Sequence, residues 1–212
     1  MDLEIVLVRH GESHGNRDRI FVGHGPGGLT ERGHRQAEAV AAALADRKID
    51  AIYSSDLPRA MATAKPLCTA RSLEPILDTR IRERDVGAYT GLSFQQVKDS
   101  DPEGWRALLA RDPEHRPPAG ESHRDCGVRV ATFLDELFAG TEGGHVVVFS
   151  HGVAINHMLR HALGIAATTS RTFFQVDNCS IHHLMRHRDG SFRVIALNDV
   201  SHLARLKTSA ME

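Results

Sequence analysis

Leu3-Glu4-Ile5-Val6-Leu7-Val8-Arg9-His10-Gly11-Glu12-Ser13 carries more architectural information than any other stretch of the chain. Residues 3–8 are an almost unbroken apolar run, the signature of a strand buried within a sheet. Arg9 and His10 stand at its end, a rigid mounting point from which side chains can be aimed into a cleft. An arginine there offers a planar cation that grips an anion in a fork, and a histidine offers an imidazole near neutrality. Gly11 is expected to let the backbone turn sharply and to leave room for a ligand. The combination points to phosphate chemistry at a histidine.

The flanking segments alternate between helix and strand. Thr30 is a plausible N-cap for a helix in which Ala37, Val40, Ala41 and Leu44 share one face. Residues 51–53 form a short strand, and Pro58 opens a second helix through Ala60, Ala64 and Leu67. A helix over 122–138 is predicted from Val130, Phe133, Leu134 and Leu137, followed by a buried strand at 145–149 and a helix from Gly152 to Leu163. Residues 173–176, 181–185 and 192–196 read as short strands. This order predicts an α/β fold, a three-layer α/β/α sandwich with a mostly parallel central sheet.

With 212 residues the chain fits one domain over 1–212, burying roughly 70% of its unfolded surface. A cap or lid insertion is expected around 91–120, with Phe94, Trp105, Leu108 and Leu109 among its apolar residues; Trp105 reads first as a local packing anchor. A surface loop is expected over 112–120. A net charge of −1 argues against a nucleic-acid partner. No apolar run approaches the ~20 residues of a membrane span, and the N-terminus lacks a secretory pattern, so a cytoplasmic location is expected. Cys68, Cys126 and Cys179 are too widely spaced for a disulfide framework or a zinc site and read as buried thiols.

Further strand-to-loop transitions carry polar groups. Arg59 lies in the first turn of the second helix, after Tyr53-Ser54-Ser55-Asp56-Leu57-Pro58. Phe149-Ser150-His151-Gly152 repeats the opening logic, and Ile81-Arg82-Glu83-Arg84-Asp85-Val86-Gly87 sets carboxylates among arginines. Ligands of open α/β sheets bind beyond the carboxyl ends of the strands, so His10 and His151 are expected to converge on one site.

Together these segments resemble the histidine phosphatase superfamily, the phosphoglycerate-mutase-like family, over nearly the whole chain. The resemblance rests on Arg9-His10-Gly11-Glu12-Ser13 with Asn16, on Gly28-Leu29-Thr30-Glu31-Arg32-Gly33-His34, on Ser54 to Ala64, on Glu83 with Gly87 and Gly91, on Gly120-Glu121-Ser122, on Ser150-His151-Gly152 and on Asp177-Asn178-Cys179-Ser180. It implies that His10 is a nucleophile forming a phosphohistidine, its tautomer held by a backbone carbonyl. Arg9, Asn16, Arg59 and His151 would surround the phosphoryl oxygens, with no metal or other cofactor required. Glu83 would act as general acid and base, with Asp85 as its rival. The partner implied is a small-molecule phosphomonoester, and a homodimer would be in keeping with the chain.

The resemblance leaves phosphatase, mutase and a non-catalytic phosphate-binding module to be distinguished. Val22-Gly23 lacks the hydroxyl residue usual in mutases, Glu83-Arg84-Asp85-Val86 lacks their aromatic, and Arg106, Arg111 and Arg116 are isolated rather than adjacent. These departures favour hydrolysis, and the presence of both His10 and Glu83 argues against a silent module. Gly23-His24-Gly25-Pro26-Gly27-Gly28 spells a dinucleotide fingerprint but follows no strand, and reads instead as a loop rimming the pocket. The remaining histidines, including His157, His161, His182, His183 and His187, read as structural rather than metal-binding.

Overall fold

The computed structural model describes residues 2–141, 143–166, 172–204 and 206. Its elements run β1 (Leu3–Arg9), α1 (His14–Asp18), α2 (Glu31–Ala43), β2 (Ala51–Ser54), α3 (Pro58–Arg71), β3 (Ile76–Leu77), α4 (Phe94–Ser100), α5 (Pro102–Ala110), α6 (His123–Gly140), β4 (Gly144–Ser150), α7 (Gly152–Ala162), β5 (Ile181–Arg186) and β6 (Phe192–Asp199). Short 3-10 turns occur at Thr79–Ile81, Gly87–Tyr89 and Ser201–Leu203.

The six strands form one sheet in the order β3-β2-β4-β1-β5-β6. β3, β2, β4 and β1 pair in parallel, and β5 runs antiparallel to both β1 and β6. Successive strand side chains point to opposite faces, and the core divides accordingly. Ile5, Leu7, Val146 and Val148 pack with Phe133 and Leu134 of α6 and with Ile155, Met158 and Leu159 of α7. Val6, Val8, Val147 and Phe149 pack with Val40 of α2, with Leu44 just after it, and with Ala64 and Leu67 of α3. The layered α/β/α architecture with a mostly parallel sheet is the one the sequence predicts. Each such fully buried aliphatic or aromatic side chain contributes about 1.5–3 kcal/mol.

Local chemistry fixes the ends of the helices. Thr30 caps α2 by accepting from Gly33 N at 3.0 Å, and Pro58 occupies the first turn of α3, where its missing N–H costs nothing. Ser122 and Asp125 form a capping box at the start of α6. Cys68, Cys126 and Cys179 are buried and free, as the sequence suggests.

Residues 173–176 depart from the expected strand. Their backbone polar groups are satisfied by side chains instead of a neighbouring strand. Phe174 N donates to Asn156 Oδ1 (2.8 Å), Asn156 Nδ2 donates to Phe174 O (2.9 Å), and Val176 O accepts from Arg9 Nη1 (2.6 Å). Periodicity reports where apolar residues fall, not where main-chain bonds go.

Candidate active site

The register of β1 and β4 assembles the site. Arg9 pairs with Ser150, so His10 and His151 leave adjacent strands at the same level, and His10 N donates to Ser150 O at 2.9 Å. The two imidazole centroids lie 5.1 Å apart. Both rings are buried. His10 Nδ1 bonds to Gly11 O at 2.7 Å, a contact that places the proton on Nδ1 and leaves the Nε2 lone pair free. Burial, reinforced by the charges of Arg9 and Arg59, holds His10 well below the ordinary histidine pKa. His151 is depressed for the same reasons, burial first and then Arg59, His10 and Arg9.

Gly11 serves backbone packing more than ligand access. A Cβ there would stand 2.6 Å from Gly33 O, so only glycine lets this loop close onto the start of α2. Its amide donates to Thr63 Oγ1 (3.0 Å), and that hydroxyl donates to Arg59 O one helical turn earlier (2.7 Å). The loop after β1 and the first turn of α3 are thereby locked together.

Arg59 is buried and Arg9 half-buried, and both are only partly paired. Arg9 uses Nη1 on Val176 O while its Nε has no protein partner. Arg59, 2% exposed, uses Nη2 on Gly23 O (2.8 Å) and leaves Nη1 unpartnered. His151 accepts or shares a proton with Ser55 Oγ at 2.8 Å, and its Nδ1 is likewise without a partner. Asn16 sits in the capping box of α1, its Oδ1 accepting from Ser13 N (3.2 Å), Ser13 Oγ (3.0 Å) and Asn178 Nδ2 (3.0 Å). The amide nitrogen remains to donate. Buried donors without protein acceptors are costly unless a ligand supplies the acceptor.

Glu83 closes the other side. Arg84 N donates to its Oε1 (2.9 Å), and Val153 N donates to both carboxylate oxygens (3.1 and 3.3 Å). Val153 lies in the first turn of α7, where backbone amides have no intrahelical acceptor and are available to the carboxylate. Arg129 braces the loop by donating to Arg80 O, Arg82 O and Glu83 O while paired with Glu121. His24 Nε2 meets Glu83 O at 2.7 Å. Asp85 is turned elsewhere: its Oδ1 accepts from Gly87 N at 2.9 Å and its Oδ2 lies 3.6 Å from His24.

Two cavities meet here. The inner one, about 220 Å³, is lined by Arg9, His10, Asn16, Arg59, Glu83 and the Val22–Gly23 loop among others. The outer one, about 440 Å³, shares Arg9, Glu83 and Arg84 and extends to Trp105, His123 and Phe174. Asp85 lines neither. Trp105 packs 6.1 Å from Phe94, as the anchor reading expects, and also lines the outer cavity. The glycine-rich segment at 23–28 is loop on the cavity rim, with no strand before it.

Of the inner cavity's lining, sequence reasoning singled out Arg9, His10, Asn16, Arg59 and Glu83, and it missed Arg84 and Val153. Ser55 and Thr63 were visible within the arginine motif, each beside a functional residue. Asn178 and His24 stood within quoted stretches but without a role, and Arg129, reaching the acid loop from α6, left no local signal. The other histidines read as structural have protein partners: His157 with His123, His161 with Asp135, His182 with Ser180, His183 with Glu4 and His187 with Asp2. Among the described residues, no group of three or more His, Cys, Asp or Glu side chains is arranged to hold a metal ion, and no helix is long and apolar enough to cross a membrane.

An α/β sandwich with a histidine, two arginines and a carboxylate at the ends of its parallel strands defines a class of phosphoryl-transfer enzyme. Residues 5–200 match the model of the histidine phosphatase superfamily (branch 1), and the chain belongs to that family. It is 34% identical over 206 residues to the protein described as "Probable phosphoglycerate mutase GpmB" of Enterobacter sp. (strain 638), covering 95% of each chain. It is 36% identical over 200 residues to the bifunctional protein Rv2228c of Mycobacterium tuberculosis, covering 94% of this chain and 54% of that one. The solved mycobacterial glucosyl-3-phosphoglycerate phosphatase in complex with VO3 superposes with a TM-score of 0.85 at 30% identity, covering 92% of this chain and 99% of the other.

Proposed function

We propose that this enzyme is a metal-independent phosphomonoester hydrolase working through a phosphohistidine on His10. The observation that carries the reading is the state of His10: a buried, neutral ring whose Nδ1–H is committed to Gly11 O. Its Nε2 lone pair attacks phosphorus and the P–O bond to the alcohol breaks. Glu83 donates a proton to the departing alkoxide. Water then attacks the phosphohistidine, Glu83 takes a proton from it, and inorganic phosphate leaves with His10 neutral again. Arg9 Nε, Arg59 Nη1, Asn16 Nδ2 and His151 Nδ1 donate to the equatorial oxygens, where fixed donors are worth most in the transition state.

Glu83 fits the acid role better than Asp85 because it lines both cavities, between phosphoryl group and leaving alcohol. The chain is read as one domain over 1–212, in which α4 and α5 form the cap within the 91–120 insertion. Phosphoglycerate mutase chemistry is the alternative, favoured by the name of the Enterobacter relative. A cytoplasmic location, a small-molecule substrate and a homodimer complete the proposal.

The test is phosphate release from p-nitrophenyl phosphate and metabolite phosphates, with EDTA, by wild type and His10→Ala. Metal-independent release lost in the variant supports the hydrolase. Phosphoglycerate isomerisation without release would install the mutase instead. Because His10 is depressed below 6.5, kcat/KM for the wild type is expected to cross pH 6.5 without an inflection from the nucleophile.

A further inference from the structure

Two histidines meet at the phosphoryl pocket, and each has one ring nitrogen held by the protein. For His10 the holder is Gly11 O, an acceptor, which keeps a proton on Nδ1. For His151 it is Ser55 Oγ, 2.8 Å from Nε2 and the ring's one hydrogen-bond partner among the described residues. A hydroxyl can donate or accept, so the state of His151 depends on what else Ser55 does. Both residues are 0% exposed, and water does not compete for the contact.

The backbone fixes where the hydroxyl stands. β2 and β4 pair with Ser54 opposite Phe149, and Ser55 N donates to Phe149 O at 2.9 Å, two residues before His151. Ser55 O accepts from Ser54 Oγ at 2.8 Å. Both main-chain groups of Ser55 are thus committed, at the end of β2 beside the end of β4. Its side chain reaches His151, and Leu57 N, at the entry to α3, donates to its Oγ at 3.3 Å.

Counting hydrogens selects one arrangement. Burial and the charge of Arg59 pull the His151 pKa well down, so the ring carries one proton at neutral pH. Were that proton on Nε2, Ser55 Oγ would accept from both Nε2 and Leu57 N. The hydroxyl hydrogen would then have no acceptor among the described residues, in a place without solvent. Nδ1, unpartnered as are Arg9 Nε and Arg59 Nη1, would offer a lone pair where an anion needs a donor. With the proton on Nδ1, Leu57 N donates to Oγ, Oγ–H donates to Nε2, and Nδ1–H alone remains open.

We infer that Ser55 is a positioning residue, whose hydroxyl donates to His151 Nε2 and holds the ring as the Nδ1–H tautomer that donates to a phosphoryl oxygen. The two histidines then share one tautomer and present opposite atoms: His10 its Nε2 lone pair, His151 its Nδ1–H. The kinetic consequence rests on the phosphohistidine reading proposed above; the tautomer of the resting enzyme does not.

Nitrogen-15 NMR of the enzyme labelled at histidine, at pH 7, reads the tautomer directly, with the His151 signals identified by their loss in His151→Gln. A pyrrole-type Nδ1 and a pyridine-type Nε2 are expected in the wild type. In Ser55→Ala the two shifts should move toward each other or exchange character, while Ser55→Thr, which keeps the hydroxyl, should retain the wild-type pattern. With p-nitrophenyl phosphate, Ser55→Ala is expected to lower kcat about tenfold with KM within about twofold. That is less than the roughly 10²–10³ of deleting an oxyanion donor, because part of the population still carries Nδ1–H. Ser55→Thr should recover most of the loss. A protonated Nε2 in the wild type, alone or as imidazolium, would overturn the inference, and that spectrum requires no Ser55 variant to fold. An unchanged tautomer in Ser55→Ala would overturn it equally, whatever happens to kcat. If the wild type hydrolyses no ester, the phosphohistidine reading falls and the spectra alone decide the role of Ser55.

Discussion

The two ends of the central sheet use the same residue types in opposite ways. At the carboxyl end of β1, Arg9 and His10 join Arg59 and His151, and Arg9, Arg59 and His151 each keep a buried nitrogen without a protein partner. At the other end, Glu4 of β1 gathers His145 at 2.5 Å, Arg47 at 3.0 Å and His183 into one closed cluster. Glu4 stays below its ordinary pKa although burial raises it, because the His145 hydrogen bond and the charges of His183 and Arg47 outweigh that cost. Histidines and arginines at strand ends therefore do not by themselves mark function. What separates the ends is whether each polar group already has its partner.

The sharpest break of that comparison is His10→Ala, expected to lower turnover by about 10³-fold or more because no other group in the site can carry the phosphoryl group. Phosphate release read beside thermal unfolding checks it; substantial residual hydrolysis would sink the nucleophile assignment. Next comes Glu83→Gln, expected to slow esters of poorly leaving alcohols by about a hundredfold while sparing activated aryl esters. A series of esters graded by leaving-group pKa tests this, and an equal loss across the series would point to positioning alone.

The buried neutral histidines make a smaller, stability-linked prediction. His182 is held near pKa 4, chiefly by burial, below its ordinary 6.5. The unfolded chain then binds the proton first as pH falls, so this contribution is complete above pH 6.5 and is lost between 6.5 and about 4. The loss is at most about 1.4 kcal/mol per pH unit for such a group. Urea midpoints at pH 7 and 5 measure it, and His182→Gln should flatten the dependence. The smallest effect belongs to the closed end. Glu4→Gln should cost about 1 kcal/mol of stability and leave kcat/KM unchanged. A fall in activity there would contradict the division of labour between the two ends.

How far the sequence could be read follows from how far its signals reach. The strand at residues 3–8 and the helices beginning at Thr30, Pro58 and Ser122 were legible because periodicity and caps act within a few residues. Asn16 was legible as a donor, but the capping box that ties up its carbonyl oxygen and leaves its amide free was not. Residues 173–176 looked like a strand because they are apolar, and they are not one because Asn156 and Arg9 take their backbone groups. Gly11 was legible as a special position, but the contact that requires it lies with Gly33, on another element.

The sequence alone thus determined the layered α/β class, the family, and which polar groups stand at the strand and helix ends where Arg9, His10, Arg59 and His151 come together, since each is written as a short motif there. The tertiary structure decided which of those groups remain unpaired, that Glu83 and not Asp85 lines the cavities, and that Arg84 is buried with its Nε unpartnered. Those are questions of partners distant in the chain, and only the register of β1 on β4 and the packing of α6 and α7 bring such partners together.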